Sequence, residues 1–444
     1  MPTFKIYTLG CKVNQYDSGS LKYKLIKNGL KPAEKNQQAD LVIVNTCSVT
    51  KNAHRKDRRM IDKAKKDNPQ AKIVVMGCWF KVYPEIEKKL QADLFWPVGK
   101  LDKLIGEITK KFNKELFSNK RNDNDGVKKI NNNKKTNRRK SGDGRDIIKS
   151  PGQGERSRYF MKVQDGCNQF CSYCVIPYSR GRLQSRAWED IIREAQEVEE
   201  AGYREIILCG IHLGLYNQEE NSQQKDQNLT WLIKKILTRT KKLRVRISSI
   251  EVNDISDDLI NLLKIEKRFC NHLHIPLQGG EDKLLKLMNR PYDVKYFKNK
   301  ILQIRKTVPT VAITADVIVG FPTESKQQFQ QTCDLVQDLQ LSKLHVFPYS
   351  GHEKTVAFKM SGQVDGKIKK ERSKILREIS DNLWNEYQKK IKKEISQFEI
   401  VIEDITGDTI LGKTEYYFDI KVPKIKIEER KLKIGELIKV DVSI

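Results

Sequence analysis

Short apolar runs alternate with amphipathic ones along the first part of the chain, and each apolar run stops at a cysteine. FKIYTLGC ends at Cys11, LVIVNTC at Cys47 and KIVVMGC at Cys78. Helical spacing follows each run, around Ser18–Asn28, Asn52–Lys66 and Pro84–Leu90. Val/Ile-rich runs of this kind suit parallel strands buried on both faces. A repeating strand–helix order gives a parallel sheet whose strand C-termini share one edge, where ligands of such sheets bind. The topology therefore predicts that three cysteines distant in sequence come to one edge.

From Arg158 to about Leu341 strands and helices alternate again. The strands are YFMKVQDG, EIILCGIHLG, RVRISSIE, HLHIPLQ, AITADVIVGF and KLHVFPYS. Six strand–helix units in this length suit a partial (β/α)6 barrel rather than a closed eight-fold one. Asp365 to Lys393 is charged and amphipathic and predicts a helix. After Ile395 the pattern turns to short strands, FEIVIEDI, TILGKTEYYFDIKV, IKIEERKLKI and LIKVDVS. They predict a small antiparallel β-barrel of OB-like type, a common platform for RNA. The fold class is thus α/β: an N-terminal parallel-sheet domain (1–116), the barrel with its connecting helix (158–394) and the C-terminal barrel (395–444).

The span 117–157 departs from all of these patterns. It is polar and Asn-rich, and Asn119–Ser157 carries twelve Lys and Arg against five Asp and Glu. Such a segment buries too little apolar surface to offset the entropy of ordering, so a disordered basic linker is expected. A basic arm that touches RNA is the other reading. The whole chain of 444 residues has a formal charge of +27. That field attracts phosphate backbones and acidic membranes, although charge kept for solubility gives the same total. No apolar run approaches the ~20 residues of a membrane helix, and MPTFKIYTLG lacks the apolar core of a signal peptide. The expectation is a cytoplasmic protein with no membrane partner and with nucleic acid as its polyanion.

Nine cysteines in such a chain point to metal or redox chemistry rather than disulfides. DGCNQFCSYC places Cys167, Cys171 and Cys174 directly after the first barrel strand, at the end where barrel enzymes keep their chemistry. Structural zinc takes four ligands, and no fourth follows nearby. A ferredoxin run has two-residue gaps throughout. Three thiolates can hold three corners of a [4Fe-4S] cluster and leave the fourth iron open. A zinc knuckle is the plain alternative.

Cys-x3-Cys-x2-Cys with Tyr173 before the last cysteine resembles the signature of radical S-adenosylmethionine enzymes. In that family the open iron binds S-adenosyl-L-methionine, and an electron from the cluster releases a 5′-deoxyadenosyl radical. The strand-end cysteines, this motif and the small terminal barrel together resemble the methylthiotransferases over nearly the whole chain apart from the 117–157 insert. The resemblance implies a second [4Fe-4S] cluster on Cys11, Cys47 and Cys78, where sulfur for the product is carried. TLGCKVNQYDS, GIHLGLY, RGR at Arg180–Arg182, RISSIE, HLHIPLQGG, DVIVGFPTE and LHVFPYS are most similar to the bacterial branch that acts on N6-threonylcarbamoyladenosine (position 37) in tRNA. GKTEYYFDIKV is similar to that branch's RNA-binding TRAM module.

The implied reaction replaces hydrogen at C2 of adenine, a carbon on which acid–base chemistry has no purchase, so the cofactors carry the one-electron route. The family scheme spends two S-adenosylmethionine molecules, one to methylate sulfur on the N-terminal cluster and one to make the radical. The two clusters are then expected to face each other across the substrate. No side chain is assigned as a catalyst. Implied partners are the tRNA anticodon stem-loop, an electron donor such as flavodoxin or ferredoxin, and a sulfur source. Ser249 and Glu251 on one strand end, with Asp316 and Gly320 on another, are candidates for S-adenosylmethionine contact, beside Tyr173 in the motif; a strand-end turn explains Asp316 and Gly320 equally. Cys209, Cys270 and Cys333 sit in apolar or helical contexts that predict core packing. His272 and His274 share a face and predict a hydrogen-bonded barrel interior. KNAHRKDRR after Cys47 reads as a solvated helix face or as a seat for RNA phosphates. Other functions left open are methylthiotransfer to N6-isopentenyladenosine or to a ribosomal protein, and a zinc-stabilised RNA-binding protein without catalysis.

Overall fold

A computed structural model describes residues 1–117, 157–220, 222–423 and 432–441. The basic insert expected at 117–157 falls almost wholly outside these residues, as does most of IKIEERKLKI. The chain divides into two compact units, one carrying the N-terminal sheet and the other the barrel with the C-terminal sheet.

The first unit is a five-stranded parallel sheet. In chain order its elements are β1 (Thr3–Thr8), α1 (Lys12–Lys27), β2 (Lys31–Pro32), β3 (Leu41–Thr46), α2 (Lys51–Asp67), β4 (Lys72–Gly77), α3 (Cys78–Val82), β5 (Leu94–Pro97) and α4 (Leu101–Phe117), with the sheet in the order β2-β1-β3-β4-β5. The central strands explain the unbroken apolar runs. On β3, Leu41 and Ile43 pack on one face with Leu21, Leu25, Leu104 and Ile108, while Val42 and Val44 pack on the other with Ile61, Ala64 and Trp79. Side chains alternate across a strand, so a sheet covered on both faces needs apolar residues at every position.

Two helices differ from the sequence expectation. α1 begins at Lys12, not Ser18, because its first turns bury Asn14, Asp17, Ser18 and Ser20, polar residues that leave no apolar periodicity. The segment expected as one helix at Pro84–Leu90 is a 3-10 turn over Pro84–Lys88, preceded by the short α3.

The second unit opens with β6 (Tyr159–Lys162), β7 (Gln164–Asp165), α5 (Ile176–Arg180), β8 (Gln184–Ser185) and α6 (Trp188–Glu200). It continues through β9 (Glu205–Cys209), α7 (Leu229–Arg239), β10 (Arg244–Ile247), α8 (Asp257–Ile265), β11 (His272–His274), α9 (Asp282–Leu287), α10 (Val294–Thr307), β12 (Ala312–Val319), α11 (Lys326–Asp338) and β13 (Lys343–Pro348). Parallel pairing runs β6-β9-β10 and β11-β12-β13, and single parallel bridges Val245↔Phe269 and Ser249↔His274 join the two sets. The six predicted strands thus form one partial barrel. The expected long helix is α12 (Gly366–Glu394), capped by the Asp365 side chain.

The C-terminal strands are β14 (Gln397–Thr406), β15 (Thr409–Thr414), β16 (Asp419–Pro423) and β17 (Leu437–Asp441), in the antiparallel order β16-β15-β14-β17. They form a curled half-barrel. TILGKTEYYFDIKV, read as one strand, is two strands joined by a tight turn with Tyr417 at φ 76. This sheet seats against the N-terminal ends of the barrel strands. Arg244 and Arg246 both pair with the fully buried Glu205, at 2.6 and 2.9 Å, and extend to the carbonyls of Glu399, Lys413, Thr414 and Glu415.

Candidate functional site

One side chain ties together the ends of the three strands that carry Cys11, Cys47 and Cys78. Asn14, in the first turn of α1, donates from Nδ2 to Leu9 O at 2.9 Å and to Thr46 O at 3.0 Å, and its Oδ1 faces Cys78 Sγ at 4.0 Å. It therefore touches the backbone just before Cys11, the residue just before Cys47, and the third thiol itself. Close backbone approach does the rest. A Cβ built on Gly10 (φ +99) would stand 3.1 Å from Cys47 Sγ, and one on Gly77 (φ +112) would stand 2.5 Å from Thr46 O. Only glycine accepts both the positive φ and the crowding.

Cys11 is exposed, while Cys47 and Cys78 are buried. Beneath Cys47, the buried Asp57 of α2 accepts the Cys47 N–H with both oxygens, at 3.1 and 3.3 Å. Burial pushes the Asp57 carboxyl up to about 8, although the Cys47 N–H pulls the other way. Arg55, Lys56, Arg58 and Arg59 of the same helix are exposed.

The second trio lies in the loop that follows β7. Cys174 N donates to Cys171 O at 2.9 Å, and Cys167 N to Gly181 O at 3.1 Å. Arg180 clamps both oxygens of Asp165 at 3.0 and 2.9 Å with an almost fully buried side chain. The first arginine of RGR is thus spent on holding the loop. Gln164 Oε1 accepts the N–H of Ile211 and of His212, both at 2.9 Å, which fixes the GIHLGLY segment beside the cysteines. His212 Nδ1 lies 3.5 Å from Cys167 Sγ, and its Nε2 lies 2.9 Å from Asp254 Oδ2. Burial alone would lower the His212 pKa. The hydrogen bonds and charges of Asp254 and Cys167 win and push it up to about 10.

On the other side Arg290 Nη1 donates to Cys171 Sγ at 3.3 Å, Nε donates to Tyr292 Oη at 3.1 Å, and Nη2 pairs with Glu251. Burial raises the Cys171 thiol in spite of Arg290. Burial, with the neighbouring Cys171 adding to it, pushes Cys174 up to about 12. The Tyr173 phenol is held well above its usual range, again by burial. Thiols that resist ionising unaided give up their protons when they ligate a cationic centre. Among the described residues, no three His, Cys, Asp or Glu side chains close around a point as ligands of one ion do. The corners of a cubane stand farther apart than the ligands of a single ion, and two sets of three thiols match that donor chemistry.

The candidate S-adenosylmethionine residues fall into different settings. Tyr173 belongs to the cysteine loop, and Glu251 joins it through Arg290. Ser249 is half-buried at the bridge to His274. Asp316 Oδ1 lies 3.1 Å from His274 Nε2. Thr314 Oγ1 lies 3.0 Å from His272 Nε2 and 2.8 Å from His274 Nδ1. These contacts are the hydrogen-bonded barrel interior that the His pair predicts. Gly320 donates its N–H to Glu324 Oε2 at 2.6 Å and lies beneath Lys369, which a Cβ would strike at 2.1 Å, so its glycine is required by a packed turn. Cys209, Cys270 and Cys333 are buried. Asn14, Gln164, His212, Asp254 and Arg290 shape the two cysteine sites and carry no role in the sequence expectations, while Asp57, inside the KNAHRKDRR run expected as a solvated face or a seat for phosphates, is instead buried beneath Cys47.

Comparisons agree with this geometry. Residues 3–96 match the uncharacterized protein family UPF0004, and residues 161–336 match the Radical SAM superfamily. The fold is similar to that of the radical S-adenosylmethionine methyltransferase TsrM from Kitasatospora setae, with a TM-score of 0.52 at 14% identity over 78% of this chain and 73% of that one. The barrel and its cysteine loop are those of a radical S-adenosylmethionine enzyme. The chain is 34% identical to the threonylcarbamoyladenosine tRNA methylthiotransferase MtaB of Bacillus subtilis, over 100% of this chain and 94% of the relative. It is 33% identical to the protein of the same name from Aquifex aeolicus (98% of each chain). It is 30% identical to the tRNA-2-methylthio-N(6)-dimethylallyladenosine synthase of Thermodesulfovibrio yellowstonii (99% and 95%). The chain belongs to the radical S-adenosylmethionine methylthiotransferase family.

Proposed function

We propose that this protein converts N6-threonylcarbamoyladenosine at position 37 of tRNA, next to the anticodon, into its 2-methylthio derivative. The observation that carries the reading is end-to-end similarity to relatives of that named activity, and the six cysteines at the strand ends and in the barrel loop support it. Cys167, Cys171 and Cys174 hold one [4Fe-4S] cluster. Cys11, Cys47 and Cys78 hold the second, to which Asn14 and Asp57 fix the backbone. Tyr173, Ser249, Glu251, Asp316 and Gly320 are the residues assigned to S-adenosylmethionine contact in this reading. When bound, cluster and S-adenosylmethionine supply the one-electron route to an unactivated C–H bond.

The chain's own part is positional and electrostatic. Arg290 offsets charge at Cys171, and His212 offers Nδ1 to Cys167. Residues 1–116 form the sulfur-carrying domain, 158–394 the radical core, and 395–444 a TRAM-like RNA-binding module, with 117–157 as a basic linker. An electron donor such as flavodoxin or ferredoxin and a sulfur source complete the cycle. A cytoplasmic location fits these partners; no helix among the described residues is long and apolar enough to cross a membrane.

Two measurements test the proposal. Anaerobically reconstituted protein should hold about eight irons per chain, and about four after Cys11, Cys47 and Cys78 are changed to Ala. Mass spectrometry of tRNA nucleosides from a deletion strain should lack 2-methylthio-N6-threonylcarbamoyladenosine and regain it with the gene. Loss of 2-methylthio-N6-isopentenyladenosine instead moves the protein to the other tRNA branch; loss of neither overturns the tRNA reading.

A further inference from the structure

Five aromatic side chains are exposed among the described residues, and four of them sit where the barrel strands end: Phe170, Tyr178, Phe347 and Phe358. Phe170 occupies the cysteine loop itself and is 52% exposed. Its backbone is left-handed, at φ 48, a conformation that bulky side chains adopt only when something holds them. Here the holding is explicit. Asn289, itself left-handed at φ 57, donates from Nδ2 to Phe170 O at 3.1 Å, and Gln169 Nε2 donates back to Asn289 O at 3.1 Å. A strained backbone that presents an apolar ring to water, when burial would be favourable, is a feature maintained for function.

Tyr178, 44% exposed, stands beside it with ring centroids 6.1 Å apart and planes at 80°. The two rings make a corner with one open face and one wall. The segment bearing Phe358 is tied to the same loop, because Ala357 N donates to Ser172 O at 2.8 Å. Cations stand on adjoining segments: Arg182 and Lys286 are exposed on stretches hydrogen-bonded to the cysteine loop, through Leu183 N to Asn168 Oδ1 and through Ser172 Oγ to Leu287 O.

We propose that Phe170 and Tyr178 form a stacking corner for one unpaired nucleobase adjacent to the modified adenosine. The inference rests on the RNA reading above and adds how that site grips its substrate. Specific RNA recognition works on single-stranded loops, whose splayed bases stack on aromatic faces while cations take the phosphates. A loop base displaced from its own stack needs a replacement surface, and this corner adjoins Cys171, a ligand of the radical cluster. Because stacking is tolerant of base identity, the corner secures the loop and leaves the choice of nucleoside to other contacts.

The test uses reconstituted full-length protein and an anticodon-type stem-loop RNA carrying 2-aminopurine at each neighbour of the target adenosine in turn. With wild-type protein, fluorescence at one neighbour should be quenched on binding. Phe170→Ala and Tyr178→Ala should each relieve that quench and weaken binding roughly five-fold or more, whereas Phe170→Trp should restore both. Iron content, measured on each variant, shows that the cysteine loop still forms; if Phe170→Ala loses iron, Tyr178→Ala and Phe170→Trp decide the matter alone. Quenching and affinity unchanged in the alanine variants, with wild-type protein binding normally, would overturn the corner and leave the RNA reading standing. No binding of the RNA by wild-type protein overturns both.

Discussion

Two buried arginine–carboxylate clusters occupy opposite ends of the same barrel, and they are built to different standards. At the strand N-termini, Glu205 receives Arg244, Arg246 and Arg158, and the remaining guanidinium donors of Arg244 and Arg246 reach four backbone carbonyls of the C-terminal sheet. At the strand C-termini, Arg290 divides its donors between Glu251, Tyr292 and the sulfur of Cys171, and Glu251 keeps about a quarter of its side-chain surface in solvent. The first cluster is closed: the guanidiniums of Arg244 and Arg246 donate to oxygens, and the one sulfur beside them, Cys270 Sγ, is itself a donor, 3.9 Å from Glu205 Oε2. The second turns a guanidinium donor onto the sulfur of Cys171 and keeps an open edge. The same residue types therefore make a fastening in one place and a ligand-ready site in the other. Completeness of hydrogen bonding separates them, because a buried polar network contributes to structure only when it is fully satisfied.

The largest expected effect is at the closed end. Glu205→Ala leaves Arg244 and Arg246, each 2% exposed, without their buried counter-ion. Breaking a buried pair on one side destabilises by about 3–5 kcal/mol, so the denaturant midpoint of the barrel unit should fall by a matching amount. The sign of the pH dependence also follows. Burial alone would raise the Glu205 pKa, but the three guanidiniums outweigh it and hold the carboxyl far below its ordinary 4.5. A depressed carboxylate contributes stability that is fully present above the unfolded pKa and is lost as pH falls through the folded one. The wild-type protein should therefore lose stability progressively as pH drops below that ordinary value, and Glu205→Gln, weaker throughout, should show a flatter acid limb. Equal acid slopes in the two proteins would mean the cluster is no fastening at all.

An intermediate effect is expected at the open end, and of a different kind. Arg290→Ala should cost only about 1–2 kcal/mol, because Glu251 can turn to water and Tyr292 Oη keeps the carbonyls of Pro276 and Leu277. The readout that distinguishes it is spectroscopic: with S-adenosylmethionine added, the reduced protein's paramagnetic signal should change shape in Arg290→Ala and stay as wild type in the folded fraction of Glu205→Gln. Arg290→Lys keeps the charge but loses the planar fork, so it should restore the signal only in part. A large stability loss with an unaltered signal would make the two ends equivalent and erase the distinction.

The same contrast explains what could be read from the sequence. Cys167, Cys171 and Cys174 declare themselves by spacing, and Cys11, Cys47 and Cys78 by topology, since each closes an apolar strand. The barrel was legible for the same reason, because its strands are apolar and evenly punctuated. Arg290 was not, because it stands 119 positions from the cysteine it touches and ion pairing leaves no periodic trace. Arg244 and Arg246 alternate along RVRISSIE as solvent-facing residues do, yet they point into a protein interface; the only hint is a glutamate at the matching register of the neighbouring strand, Arg244 opposite Glu205. The start of α1 was missed because the surface it buries is polar, with Asn14 and Ser18 serving hydrogen bonds instead of apolar packing.

The smallest expected effect probes how far the closed cluster extends into the barrel. Tyr417 stacks on His272 with ring centroids 4.1 Å apart and planes within 6°, and the Arg246 guanidinium lies over the Tyr417 ring, 5.8 Å from its centroid. His272 in turn meets Thr314, and Thr314 meets His274, so the stack is the lower end of the polar ladder inside the barrel. Tyr417→Ala removes the ring while keeping a non-glycine residue at the same left-handed turn, so backbone strain largely cancels between the two proteins. The loss should be about 1 kcal/mol, the scale of one aromatic pair, read as a shift of a few degrees in melting temperature. Iron content and the paramagnetic signal should stay as in the wild type, because the ladder's hydrogen bonds are made between side chains that Tyr417 only supports from below. If removing this ring alters the signal at the far end, the ladder transmits between the two clusters, and the barrel's closed and open ends are parts of one connected device.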